Sequence, residues 1–185
     1  MAGSACEPRI RRYRRTDGRH DRCGGIVTVE LVLPTAVVSR MKVSLDRAGD
    51  REIGGVLMAR QIVPGCFEIV DFSVDELTGA RAHFVREPAL HDGFLDEFFE
   101  RTGRDYTNYN YIGEWHSHPN LPIAPSVTDL GSMEDLVNGE RDIPFAALLV
   151  IRSDTPTEFV ATATFHQRGM PPVPARILSE KPRYQ

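Results

Sequence analysis

The chain has 185 residues, 41% hydrophobic and 26% charged, with a formal net charge of −4, the balance of an ordinary globular protein with room for one domain and a sizeable core. No apolar run nears the ~20 residues of a membrane span, and no charged-then-apolar signal opens the chain. Three cysteines (Cys6, Cys23, Cys66) without a C-x-x-C pair give neither a disulfide framework nor a zinc knuckle, so a reducing, cytoplasmic setting with no membrane partner is expected.

Residues 1–24 form a basic leader. Seven arginines face Glu7, Asp17 and Asp21 there, a local +4 that leaves about −8 for the rest. The run Arg9-Ile10-Arg11-Arg12-Tyr13-Arg14-Arg15 reads first as a solvated, partly disordered leader. An arm for nucleic acid or an acidic partner ranks behind that, so nucleic acid is not expected as a partner. After Gly24-Gly25, residues 26–33 make a strand rich in β-branched side chains. Pro34-Thr35 opens a helix with Val37, Val38, Met41 and Leu45 on one face, and Gly49-Asp50 breaks it.

Residues 52–58 enter a second strand, Pro64-Gly65 turns the chain, and residues 66–74 return as the hairpin partner. A short extended stretch (82–86) precedes an amphipathic helix over 89–101, whose apolar face is Leu90, Phe94, Leu95, Phe98 and Phe99. A strand carrying two histidines follows, then a Pro-rich loop (119–125) and a third helix facing inward with Val127, Leu130, Met133 and Val137. The apolar run 145–151 reads as a buried strand, and 158–165 as another beside it. The Pro-rich tail, residues 169–185, has no periodicity. The order of elements predicts one α/β domain, helices packed on a mixed central sheet.

The most informative stretch is Gly113-Glu114-Trp115-His116-Ser117-His118-Pro119 with Pro125-Ser126-Val127-Thr128-Asp129. Histidines at i and i+2 of a strand share a face, close enough for two imidazoles to meet one metal at about 2.0–2.1 Å. Pro119 stops the strand there. Ser126-x-x-Asp129 reads equally as a capping box at a helix start, but a cap accounts for neither the histidine pair nor the linker that can fold the helix back to it. Two histidines and a carboxylate supply three zinc ligands and leave a fourth position open. A hydrolytic site also needs a base. Glu52, just before Gly54-Gly55, is one candidate, balanced by its reading as a solvated glutamate beside Arg51; Glu114, with the histidines' parity, is the rival. Other schemes fail on residue types: no His-Glu-x-x-His, no Gly-x-Ser-x-Gly and no Walker loop is present.

Glu52 with Gly54-Gly55-Val56-Leu57, Gly113-x-x-His116-Ser117-His118-Pro119 and Pro125-Ser126-x-x-Asp129 together resemble the JAMM (JAB1/MPN/Mov34) zinc metalloprotease family over roughly residues 25–168. The resemblance implies a JAB1/MPN-like domain in which His116, His118 and Asp129 bind Zn2+. It also makes Glu52 the general acid/base and has Ser126 steady the tetrahedral intermediate. Glu-Trp before His116 and the phenylalanine-rich helix are most similar to prokaryotic members found beside E1- and E2-like proteins in antiphage operons. Such members cleave isopeptide or peptide bonds after the C-terminus of ubiquitin or a ubiquitin-like protein. The implied function is therefore a zinc-dependent isopeptidase, with a ubiquitin-like or similarly conjugated protein as substrate and E1/E2-like proteins as possible partners. The substrate tail is expected to add as a strand to an exposed sheet edge near residues 52–60. The alternatives are a peptidase for a sulfur-carrier-like protein or small peptide, and a JAMM-fold scaffold for a conjugation enzyme.

Overall fold

The computed structural model describes residues 28–75, 90–139, 143–155 and 158–180. The basic leader and the expected extended stretch at 82–86 lie outside them. In chain order the elements are β1 (Glu30–Val32), α1 (Thr35–Ala48), β2 (Gly54–Val63), β3 (Cys66–Phe72), α2 (Asp92–Arg101), β4 (Tyr109–Ser117), α3 (Val127–Asn138), β5 (Phe145–Thr155), β6 (Glu158–Gln167), β7 (Val173–Pro174) and β8 (Arg176–Leu178). All eight strands form one sheet in the order β7-β6-β5-β4-β2-β3-β1-β8. It is mixed: β2 pairs antiparallel with β3 and β4, while β4 and β5 run parallel.

Local signals explain the elements. Gly65, at φ 81°, makes the tight turn between β2 and β3. The α1 stripe buries Val37 and Met41 against one sheet face, in a core shared with Leu31, Ile53, Phe67 and Trp115. On the other face α2 and α3 bury Phe98, Phe99, Met133 and Val137 against Val56, Met58 and Val150. Two expected core positions turn outward. Leu90 is 48% exposed and Val127 88% exposed: α2 begins only at Asp92, after Leu90, and Val127 is the first residue of α3.

The aperiodic tail is structured as well. β7 pairs with β6 and β8 with β1, although only Ala175 separates them in the chain. The Ala175 N–H donates to the Ala163 carbonyl (2.9 Å) and the Arg176 N–H to the Val29 carbonyl (2.8 Å). One strap therefore joins the two margins of the sheet, which curls until Phe67 of β3 meets Phe145 of β5 and Phe165 of β6, with ring centroids 5.9 and 6.5 Å apart. Joining the margins removes open edges that would otherwise template aggregation.

A consequence overturns one expectation. β2 is not an edge: β3 and β4 flank it, and beyond the end of β3 the Ser73 and Asp75 N–H groups still bond the Val56 and Gly54 carbonyls. A substrate tail therefore has no free ladder to join along residues 54–60. Among the described residues no helix is long and apolar enough to cross a membrane.

Candidate metal centre

Three elements converge at the end of β4. The register pairs His116 with Gly54 of β2 on one side and Val150 of β5 on the other. Since Val150 belongs to the α2–α3 core, His116 faces those helices. His118 lies one residue past the strand, tied by its N–H to the Ile151 carbonyl at 2.9 Å. Strand alternation keeps both imidazoles on one face. Both are buried, at 6% and 5% exposure.

The loop 119–125 then carries the chain to α3, whose N-terminus is closed by a capping box. The Asp129 N–H donates to Ser126 Oγ (3.1 Å), and the Ser126 N–H to Asp129 Oδ2 (2.6 Å). The same Oδ2 lies 3.5 Å from His116 Nε2, and the two imidazole Nε2 atoms lie 3.0 Å apart. Capping and convergence are thus the same geometry: the carboxylate that closes the capping box is the one brought to the histidine pair. Burial alone would raise the Asp129 carboxyl's pKa, but hydrogen bonds from His116 and Ser126 outweigh it and hold the group well below the usual carboxylate range.

One ligand atom from each of His116, His118 and Asp129 lies within 4.8 Å of the others. Two ligands at about 2.0–2.1 Å from a tetrahedral ion stand about 3.3–3.4 Å apart, and the observed 3.0 and 3.5 Å straddle that value. The Pro122 carbonyl accepts from His118 Nδ1 at 2.8 Å. That bond puts the proton on Nδ1 and leaves the Nε2 lone pair for a metal. This donor set fits a divalent ion of the zinc type.

Glu52 lies outside the triangle of ligand atoms. It precedes β2 by two residues and is 4% exposed. The Ser117 N–H bonds the carbonyl of the next residue, Ile53, at 2.8 Å, so Glu52 sits directly beside the segment tied to the end of β4. Glu114 shares the histidines' face, but it pairs with Val56, further from the strand end, and accepts a long hydrogen bond from the Tyr111 hydroxyl (3.4 Å). Residue chemistry alone did not reveal two contributors. The Pro122 carbonyl comes from backbone, which residue types do not announce. Ser117, between the histidines, accepts the Ile53 N–H through Oγ at 3.0 Å; its odd parity was the available signal. Ser117 faces α1, where it lines a cleft of about 490 Å³ with Asp46, Asp50, Asn120 and Arg152.

The shape of β4 depends on Gly113. Its φ is 153°, and a Cβ there would lie 1.9 Å from the Ala147 carbonyl oxygen. Only glycine lets β4 and β5 approach so closely three residues before His116.

A mixed α/β sheet ending in a histidine pair beside a capped helix describes a JAB/MPN-like domain. The family described as prokaryotic homologs of the JAB domain matches residues 34–165, and the chain belongs to that family. It is 24% identical, over 83% of its own length and 83% of the relative's, to a CD-NTase/cGAS isopeptidase of Enterobacter hormaechei subsp. hoffmannii. Its fold is similar to the solution structure of a Desulfitobacterium hafniense protein, with TM-score 0.60, 18% identity, and 82% of this chain and 94% of that one covered. A JAB1/MPN domain protein from Archaeoglobus fulgidus superposes with TM-score 0.41 at 10% identity, covering 80% of this chain and 98% of that one.

Proposed function

We propose that this chain is a zinc-dependent isopeptidase that releases the C-terminus of a ubiquitin-like or similarly conjugated protein from the amine to which it is joined. The observation that carries the reading is the triangle of His116, His118 and Asp129 atoms, with the buried Glu52 in the segment bound to the end of the same strand. The Enterobacter relative, named for CD-NTase/cGAS, favours a conjugated protein of that kind as the substrate.

Zinc held by these three side chains would lower the pKa of its water toward ~7 and polarise the scissile carbonyl. Glu52 accepts the proton of the attacking water and passes it to the departing amine. One water is thereby added across the bond, yielding a carboxylate and a free amine. The oxygen of Ser126 is used as the cap acceptor, but its hydroxyl proton remains available. It donates to the carbonyl oxygen as negative charge builds there.

The test is a panel of fusions with one reporter behind the last residue of ubiquitin, a sulfur-carrier-like protein or a CD-NTase, compared with unstructured peptides. Cleavage of the zinc-loaded protein's substrate should fall at the junction, with strong preference for a folded fusion, the CD-NTase first. Equal rates on unstructured peptides would replace this reading with a broad peptidase. A chain that purifies without stoichiometric zinc and cuts nothing would be a binding scaffold.

A further inference from the structure

We propose that Ser117 is the positioning residue for Glu52, an inference that rests on reading Glu52 as the proton acceptor. Glu52 precedes β2 by two residues, and its neighbour Ile53 is tied directly to the end of β4. In an ordinary hydrogen-bonded antiparallel pair, the facing residues exchange both N–H···O bonds through backbone groups. Here the Ser117 N–H donates to the Ile53 carbonyl at 2.8 Å, as expected. The reciprocal bond is different: the Ile53 N–H donates to Ser117 Oγ, at 3.0 Å. A side chain stands where a carbonyl usually does.

Burial makes that substitution consequential. Ile53 is 0% exposed and Ser117 1%, and a buried N–H that loses its acceptor carries the full cost of desolvation. Without the hydroxyl, the ordinary backbone pairing can be regained only by shifting residue 53 against β4, and Glu52 moves with it. Ser117 has the opposite strand parity to His116 and His118 and faces α1, so it acts on the site through Glu52 and not as a ligand. The position between the histidines thus links the strand that carries the metal ligands to the segment that carries the base.

Ser73 offers a built-in control. Its Oγ accepts the Val56 N–H at 2.9 Å on the same strand, four residues from Glu52. In zinc-loaded protein, Ser117→Ala should speed amide exchange across residues 51–54 while zinc stays stoichiometric. On the CD-NTase–reporter fusion, kcat should fall about 10- to 100-fold, the scale on which small misplacement acts, with KM unchanged. Ser117→Thr should restore both. Ser73→Ala should change exchange around residue 56 and leave kcat near wild type. Adding Ser117→Ala to Glu52→Gln should cost nothing further. Unchanged exchange at 51–54, an equal kcat loss in Ser73→Ala, or a multiplicative loss in the double variant would each overturn the proposal. A rise in KM alone would also overturn it, since the hydroxyl would then be touching substrate through the cleft. Full turnover in Glu52→Gln would instead remove the proton-acceptor reading, and the exchange result would still be read on its own.

Discussion

The β4–α3 corner and the segment leading into β2 meet at the end of β4, and different forces hold them. At the corner nearly everything is local. Strand alternation aligns His116 with His118, a carbonyl four residues on orients His118, and a three-residue capping box aims Asp129. The segment before β2 depends on contacts distant in sequence: Ile53 is bound by Ser117, 64 residues away. Locally encoded geometry survives modest shifts of the rest of the fold. Long-range geometry exists only when the sheet has closed. The proposed metal ligands should therefore tolerate perturbation that misplaces the proposed base, and variants on the two sides should fail differently.

The largest effect is expected at the corner. His116→Ala/His118→Ala removes two of the three proposed ligands, and both zinc and turnover should be lost, with rates falling to background. Far-UV circular dichroism should stay near wild type, because the apolar clusters on the two faces of the sheet are built from other side chains. One zinc per chain retained in that double variant would end the assignment of the corner as the metal site.

On the opposite side the two losses should separate. Glu52→Gln keeps the size and a hydrogen-bonding group but cannot take the water's proton. Zinc content should be unchanged, while kcat falls by the ~10²–10⁴-fold associated with a general base. Glu114→Gln serves as the comparison, since Glu114 shares the histidines' face but is paired with Val56 and bonded by Tyr111. If Glu114→Gln abolishes turnover with zinc retained while Glu52→Gln stays active, the base belongs to β4 and the contrast between the two sides collapses.

The same contrast explains what could be read from the residues alone. The corner was legible because its geometry follows from spacings within fourteen residues, His116 to Asp129. The helices α1 and α3 were legible by their stripes, although Val127 misled, since periodicity cannot tell whether a helix's first residue is covered by its neighbours. By residue chemistry alone Glu52 reads equally as a solvated glutamate, because its partner strand is remote in sequence, and only the family resemblance singles it out. The strap at Val173–Leu178 was invisible for a related reason. Each of its strands is two or three residues long, too short for a period, and its pairing is set by where β1 and β6 end. The free edge expected near residues 52–60 failed likewise: whether a strand is interior is a property of the whole sheet order.

The smallest expected effect tests whether Ser126 serves the corner as structure, chemistry or both. Ser126→Ala removes the cap acceptor and the hydroxyl proton together. Ser126→Gly removes the hydroxyl too, but glycine at an N-cap costs only a few tenths of a kcal/mol, against about 1 kcal/mol for alanine. Both variants keep the backbone N–H that holds Asp129 Oδ2, so zinc should remain bound in each. For a chain of this size, the alanine variant should melt about 2–4 °C lower and the glycine variant close to wild type. If the hydroxyl donates to the developing oxyanion, both should lose about 10²-fold in kcat regardless of that difference in stability. A glycine variant with wild-type turnover would mean that Ser126 only caps α3, and that the chemistry of the corner resides in its three metal ligands alone.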